Sequence, residues 1–86
     1  MDVVLYSRPA CGLCDRAREV LDAQRERTPF DLVEVDISGD EALEREFGIR
    51  IPVIVIDGVE RFEIQVDPEE LAALAASARR RPGRAT

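Results

Sequence analysis

A chain of 86 residues with a formal net charge of −6 makes one small domain with a modest core. The acidity argues against nucleic acid as a main partner, because phosphate binding needs clustered Lys or Arg. All twelve basic residues are Arg, and the absence of His and Lys excludes Ser-His-Asp and Cys-His catalysis, Schiff-base chemistry and most catalytic zinc sites.

Val3 to Ser7 is apolar and β-branched and reads as a short buried strand. Arg8-Pro9-Ala10 is a turn. From Cys11 to about Arg27, Cys14, Ala17, Val20 and Leu21 recur at helical spacing, until Thr28-Pro29 ends the helix. Phe30 to Ile37 alternates apolar and acidic residues, as a second strand does. Ser38-Gly-Asp-Glu41 reads as a capping box in which the Ser hydroxyl accepts from a free helix N–H. The helix it opens carries Leu43 and Phe47 and is expected to stop at a left-handed Gly48.

Pro52 to Ile56 is a third strand, and Asp57-Gly58 turns the chain back so that Val59 to Ile64 pairs with it antiparallel. Asp67-Pro68-Glu69-Glu70 starts a last helix: Asp caps, Pro fills the first turn and the acids complement the dipole. Leu71, Leu74 and Ala75 face inward and Pro82-Gly83 stops it. The basic cluster Arg79, Arg80, Arg81 and Arg84 reads as a cationic helix end that then frays.

The order β-α-β-α-β-β-α predicts an α/β fold: one four-stranded mixed sheet with helices on both faces, opened by a right-handed βαβ crossover and closed by a hairpin. Residues 1–80 form the domain and 81–86 a flexible tail. No stretch reaches the roughly 18 apolar residues of a membrane span. The N-terminus has no cationic region followed by an apolar run, so the cytosol is the expected location.

The only two cysteines, Cys11 and Cys14, open the first helix as Cys-Gly-Leu-Cys. The thiolate is the nucleophile in thiol chemistry, and a helix N-terminus stabilises it with unpaired N–H groups and partial positive charge. Arg8 is expected to add a nearby cation. Gly12 is expected to let the backbone turn and leave Cys11 open. Asp15 and Glu19 oppose thiolate formation, so Cys11 is not expected to be extremely acidic.

In the mechanism this spacing supports, Cys11 attacks a disulfide and Cys14 resolves the mixed disulfide. Two other readings stand beside it. Two cysteines do not complete a zinc site, so a metal or Fe–S site would need a second chain or carboxylates. Two inert buried thiols are the plainer case. Strand, turn, CxxC and helix in succession favour redox chemistry in a cytosolic protein.

The opening Val3-Val4-Leu5-Tyr6-Ser7-Arg8, the Cys11–Cys14 pair and Arg50-Ile51-Pro52-Val53 resemble the glutaredoxin-like family of the thioredoxin superfamily. The resemblance spans about residues 2 to 78. It implies a thioredoxin-like fold of the glutaredoxin type and a disulfide oxidoreductase. Cys11 and Cys14 would be catalytic, and Arg8, Gly12, Leu13, Ile51 and Pro52 would bind the substrate. It also implies that Pro52 is cis and faces the cysteines, and that Ile51 offers backbone groups to a substrate segment.

Two features depart from the family. Gly12-Leu13 replaces Pro-Tyr between the cysteines. Phe62-Glu-Ile-Gln-Val-Asp67 stands where glutaredoxins carry the Gly-Gly pair and acid that hold glutathione. No cofactor or metal is therefore expected, and glutathione is not the expected ligand. Asp67 is accounted for by capping. The expected partners are a protein or low-molecular-weight disulfide and a reductase or thiol that supplies electrons. Neither nucleic acid nor membrane is expected as a partner, and the chain is expected to act as a monomer. A non-enzymatic redox-sensing or protein-interaction module is the alternative.

Overall fold

Alternating side chains in Asp2–Ser7 put Val3, Leu5 and Ser7 on one face, all buried, and this strand (β1) is an inner member of the sheet. Over the described residues, 1–80 of a computed structural model, the chain continues through α1 (Gly12–Arg27), β2 (Asp31–Asp36) and α2 (Glu41–Phe47). It then runs through β3 (Val53–Ile56), β4 (Val59–Glu63) and α3 (Pro68–Arg80). The expected Pro82-Gly83 stop and the tail 81–86 lie outside the described residues, as do the side chains of the Arg79–Arg84 cluster.

The four strands form one sheet in the order β2-β1-β3-β4. β1 pairs parallel with β2, from Asp2–Asp31 to Ser7–Asp36, and antiparallel with β3, from Val3–Ile56 to Tyr6–Val53. β3 and β4 form the expected hairpin. Its turn residues Asp57 and Gly58 both take positive φ, 50° and 83°, the backbone that suits a two-residue connection between twisted strands. Asp57 also ties the turn to the chain start: its carboxylate accepts from the Asp2 amide at 2.9 Å, and its own amide donates to the Asp2 carbonyl at 2.9 Å.

Each face of the sheet buries its own cluster. On one, Val3, Leu5, Ile54, Ile56 and Phe62 pack against Ala17 and Leu21 of α1 and Leu71 of α3. On the other, Val53 packs with Ile37 and with Phe47 of α2, while Tyr6, Leu43, Ile51 and Val55 close around them. Tyr6 and Phe47 stack with ring centroids 4.3 Å apart. The helices therefore cover both faces, α1 and α3 on one side and α2 on the other, as the sequence order predicts.

Two local expectations are corrected. The N-cap of α2 is Asp40, not Ser38: the Asp40 carboxylate accepts from the Leu43 amide at 3.1 Å. Ser38 turns its hydroxyl back onto the Asp36 carboxylate, and Gly39, at φ 86°, makes the intervening turn. Glu44 rather than Glu41 reaches back, toward the Gly39 amide at 3.4 Å. An ionised carboxylate next to the helix outcompetes a hydroxyl two residues further away.

Gly48 is right-handed, at φ −50° and ψ −40°. Glycine is needed there for space, because a Cβ would overlap the Glu44 carbonyl oxygen and lie 3.4 Å from Arg8 Nη2. By contrast the start of α3 is as expected. The Asp67 carboxylate accepts from the Glu69 amide at 2.9 Å and the Glu70 amide at 3.4 Å, with Pro68 in the first turn.

A candidate dithiol site at the start of α1

β1 ends at the edge of the core, and three residues carry the chain from Ser7 to Cys11. The sharp step in this turn falls on Ala10, at φ 57°, and not on Gly12. Gly12 is an ordinary first helical residue, and a Cβ built on it would meet nothing within 4 Å. The expected role of Gly12 in turning the backbone is thus corrected. What glycine leaves there is open space in front of Cys11.

Cys11 is the N-cap of α1, with extended backbone at φ −117° and ψ 107°. Its Sγ accepts from the Cys14 amide at 3.1 Å, so the sulfur takes the place a Ser or Asp oxygen takes in most caps. Its carbonyl starts the helical ladder by accepting from Asp15 N at 3.0 Å. The two cysteines are joined as a disulfide with Cα atoms 5.2 Å apart, within the ordinary range for such a bridge. They differ sharply in access. Cys11 is half-buried, while Cys14, one turn along, is completely buried beside Ala17 and Leu21. Leu13, between them, is 44 % exposed.

The second wall comes from the loop that leads into β3, the neighbour of β1. The Ile51–Pro52 peptide is cis. Pro52 is fully buried and stands one step beyond the Tyr6–Val53 pair, beside the end of β1 from which the chain turns into Cys11. Ile51 is half-buried against the α2-side cluster.

Two residues hold this loop. Ile64 N–H donates to the Pro52 carbonyl at 2.9 Å and toward the Arg50 carbonyl at 3.3 Å, so a single amide brackets the Ile51–Pro52 peptide. To do so Ile64 takes φ 72°. That backbone is strained for a β-branched residue and costs roughly 1–3 kcal/mol. The Arg50 guanidinium bonds Glu60 at 2.9 Å and Glu63 at 3.0 Å, donates to the Glu46 carbonyl at 3.1 Å and lies over the Phe47 ring at 5.4 Å. These carboxylates hold the Arg50 pKa above its ordinary value.

Arg8 reaches α2: its guanidinium pairs with Glu44 at 3.1 Å and approaches the Gly48 carbonyl at 3.5 Å. Its Nε is buried and finds no acceptor among the described residues. Behind the cysteines, a polar network joins α1 to β2. Arg18 Nε donates to Glu34 at 2.9 Å, Arg18 Nη1 pairs with Asp15 at 2.7 Å, and the buried Ser7 hydroxyl donates to Glu34 at 2.7 Å. The Arg18 bond, aided by Ser7 and opposed by partial burial, holds the Glu34 carboxyl below its usual range. Ser38 does the same for Asp36.

Among the described residues no three Cys, Asp or Glu side chains gather as candidate metal ligands, and no helix is long and apolar enough to cross a membrane.

A mixed sheet with helices on both faces, a CxxC at the first helix cap and a cis-proline loop beside it define a thioredoxin-fold protein with a redox-type cysteine pair. The chain belongs to the glutaredoxin-like domain (DUF836) family, whose model matches residues 2–75. Uncharacterized proteins of Mycobacterium tuberculosis and Mycobacterium bovis are 34 % identical to it over 76 residues, 83 % of this chain and 78 % of theirs. Among solved structures, a structural-genomics target protein from X. campestris matches with a TM-score of 0.73 and 32 % identity, over 87 % of this chain and 96 % of that one. A mutant thioredoxin from Halobacterium salinarum matches with a TM-score of 0.60 and 25 % identity, over 88 % and 72 %.

The sequence reading named Cys11, Cys14, Arg8, Gly12, Leu13, Ile51 and Pro52. The cysteines, Gly12 and Leu13 share the first turn of α1 and its cap, Ile51 and Pro52 form the facing loop, and Arg8 is turned toward α2. Ile64 was not named. Nothing in Phe62-Glu-Ile-Gln-Val marks a left-handed residue, since the usual signal for one is Gly or Asn.

Proposed function

We propose that the protein is a thiol-disulfide oxidoreductase that reduces a protein or low-molecular-weight disulfide with the Cys11/Cys14 dithiol. The observation that carries this is the unequal access of the pair: a half-buried Cys11 sulfur on the helix cap and a fully buried Cys14 one turn behind it. In the reduced protein the Cys11 thiolate attacks a client sulfur. The new Cys11–client S–S bond forms as the client disulfide breaks, and its leaving sulfur departs as a thiolate that takes a proton from water. The Cys14 thiolate then attacks Cys11 Sγ. The Cys11–Cys14 bond forms, the mixed disulfide breaks and the second client thiol leaves. Two electrons pass to the client, and an external thiol or a reductase returns them to the pair.

Cys11 is the nucleophile because it is the sulfur a client can reach, and helix-terminal N–H groups favour its thiolate. Gly12, Leu13, Ile51 and Pro52 bound the place where the client disulfide lies. Arg8 joins the substrate-binding set from the turn that leads into Cys11, with its guanidinium held by Glu44. The chain works without a resident cofactor or metal, as a monomer and in a reducing compartment such as the cytosol, where a CxxC is more often catalytic than structural.

Reduction of hydroxyethyl disulfide by the full chain, coupled to dithiothreitol, tests the proposal. The wild-type chain turns over, Cys11→Ser falls to background, and Cys14→Ser accumulates a mixed disulfide at Cys11 detectable by intact mass. Full activity in Cys11→Ser would sink the proposal. A disulfide that forms and reduces without any turnover would favour a redox-sensing or protein-interaction module.

A further inference from the structure

Ile64 takes a backbone that glycine adopts freely, and it keeps a branched side chain there at a cost. Its amide serves the proline loop, but any residue except proline has an amide. What distinguishes isoleucine is the side chain, 37 % exposed, which walls a cleft of about 250 Å³ that reaches Leu13, the residue before Cys14. The other walls are Leu13 from between the cysteines, Ala17 and Val20 from the next turns of α1, and Val66. Arg16 stands at the rim and makes no salt bridge among the described residues, on a chain whose net charge is −6.

The cleft is large enough for an aliphatic side chain with its neighbouring backbone, since a cavity of about 150 Å³ admits a benzene-sized group. Its walls are aliphatic except at Gln65, and its one charge is an unpaired cation. An apolar side chain followed by a carboxylate satisfies both. An apolar group alone leaves Arg16 unanswered, and a charged group alone leaves Leu13 and Ile64 wet.

We propose that this cleft is the client-selecting subsite of the oxidoreductase: it takes an aliphatic residue beside the client cysteine and an acidic residue beyond it, with Ile64 and Arg16 setting the preference. The inference rests on the oxidoreductase reading and adds its substrate class, peptide segments rather than glutathione. Ile64 thereby joins the two walls, since its amide holds the proline loop while its side chain meets the client.

The test uses three homodimeric disulfide peptides, Glu-Leu-Cys-Leu-Glu, Lys-Leu-Cys-Leu-Lys and Glu-Gly-Cys-Gly-Glu, with hydroxyethyl disulfide and glutathione disulfide alongside. The expected kcat/KM is highest for the first, about tenfold above the Gly peptide, the scale that loss of an apolar side chain from a pocket gives. It exceeds the Lys peptide by about three- to fivefold, the scale of a rim charge, and that gap narrows in salt.

Ile64→Asn, a residue that tolerates the left-handed backbone, is expected to reduce the Leu-over-Gly ratio toward one. Arg16→Glu, at an exposed position, is expected to invert the Glu-over-Lys ratio. Equal rates for all three peptides, a best rate with glutathione disulfide, or an unchanged charge preference in Arg16→Glu would overturn the inference and leave the oxidoreductase reading standing. A wild-type chain that reduces none of the disulfides overturns both.

Discussion

The two walls of the site are built in different ways. The cysteine wall is local: β1, a three-residue turn and the cap of α1 follow each other within ten residues of sequence, and Leu21 and Ala17 seat the helix on the main core. The proline wall is assembled from afar. Its peptide is bracketed by the amide of Ile64, braced by Arg50 against Glu46, Glu60 and Glu63, and backed by α2, which Arg8 and Gly48 bring close. A local wall survives wherever its helix forms, whereas a remote one needs several parts of the fold to agree. The chemistry of the pair is therefore expected to be robust and client positioning to be sensitive.

Substitutions separate the two. Leu21→Ala should give the largest effect, a loss of about 2–5 kcal/mol in urea unfolding, because it opens a cavity under α1, the helix that carries the cysteine wall. Gly48→Ala should cost about 1–3 kcal/mol by driving its Cβ against the Glu44 carbonyl oxygen and shifting the end of α2. In this variant kcat/KM for a peptide disulfide should fall more than the rate of Cys11 alkylation by iodoacetamide. Equal losses in both would mean that the walls are not separable.

Arg50→Ala removes a surface ion-pair network that reaches Glu46, Glu60 and Glu63 and should lower stability slightly, with KM raised more than kcat is lowered. A variant with unchanged stability and unchanged KM would remove Arg50 from the account of the loop.

The smallest effect concerns the stitch behind the cysteines. Glu34 has its carboxyl pKa lowered in the folded state by Arg18, so its stabilisation is present above the unfolded pKa and fades as pH falls through the folded one. Both groups are over a third exposed, and screening limits the contribution to about 0.5–1 kcal/mol. Glu34→Gln should accordingly be less stable than wild type at pH 7, and the difference should shrink as pH falls below about 4. A gap that stays constant to pH 2 would mean that the carboxylate charge contributes nothing.

The same contrast governs what could be read from the chain. The element order was legible because periodicity and punctuation agree: Asp57-Gly58 in the hairpin and Asp67-Pro68 at α3 signal through backbone chemistry that needs no distant partner. The cysteine wall was legible for that reason. Even locally, two side chains competing for one set of amides misled, as at Ser38 and Asp40. Gly48 was read by its common use, a left-handed stop, when what it supplies is clearance from the Glu44 carbonyl oxygen. Ala10 and Ile64 carry positive φ with no residue that advertises it, and at Ile64 it accompanies bonds from its amide to the Arg50 and Pro52 carbonyls. The parts of the site that choose a client thus lie where sequence pattern is weakest.

The ring pair under α2 has a practical consequence. The chain has one Tyr and no Trp, so its emission at tyrosine wavelengths comes from Tyr6 alone. That ring stacks on Phe47, on the helix that backs the proline loop, and belongs to the strand that leads to the cysteines. Nature has placed an unlabelled optical probe at the joint between the two walls. Its quantum yield and anisotropy would follow the seating of α2 in stopped-flow, without a dye and without touching either sulfur.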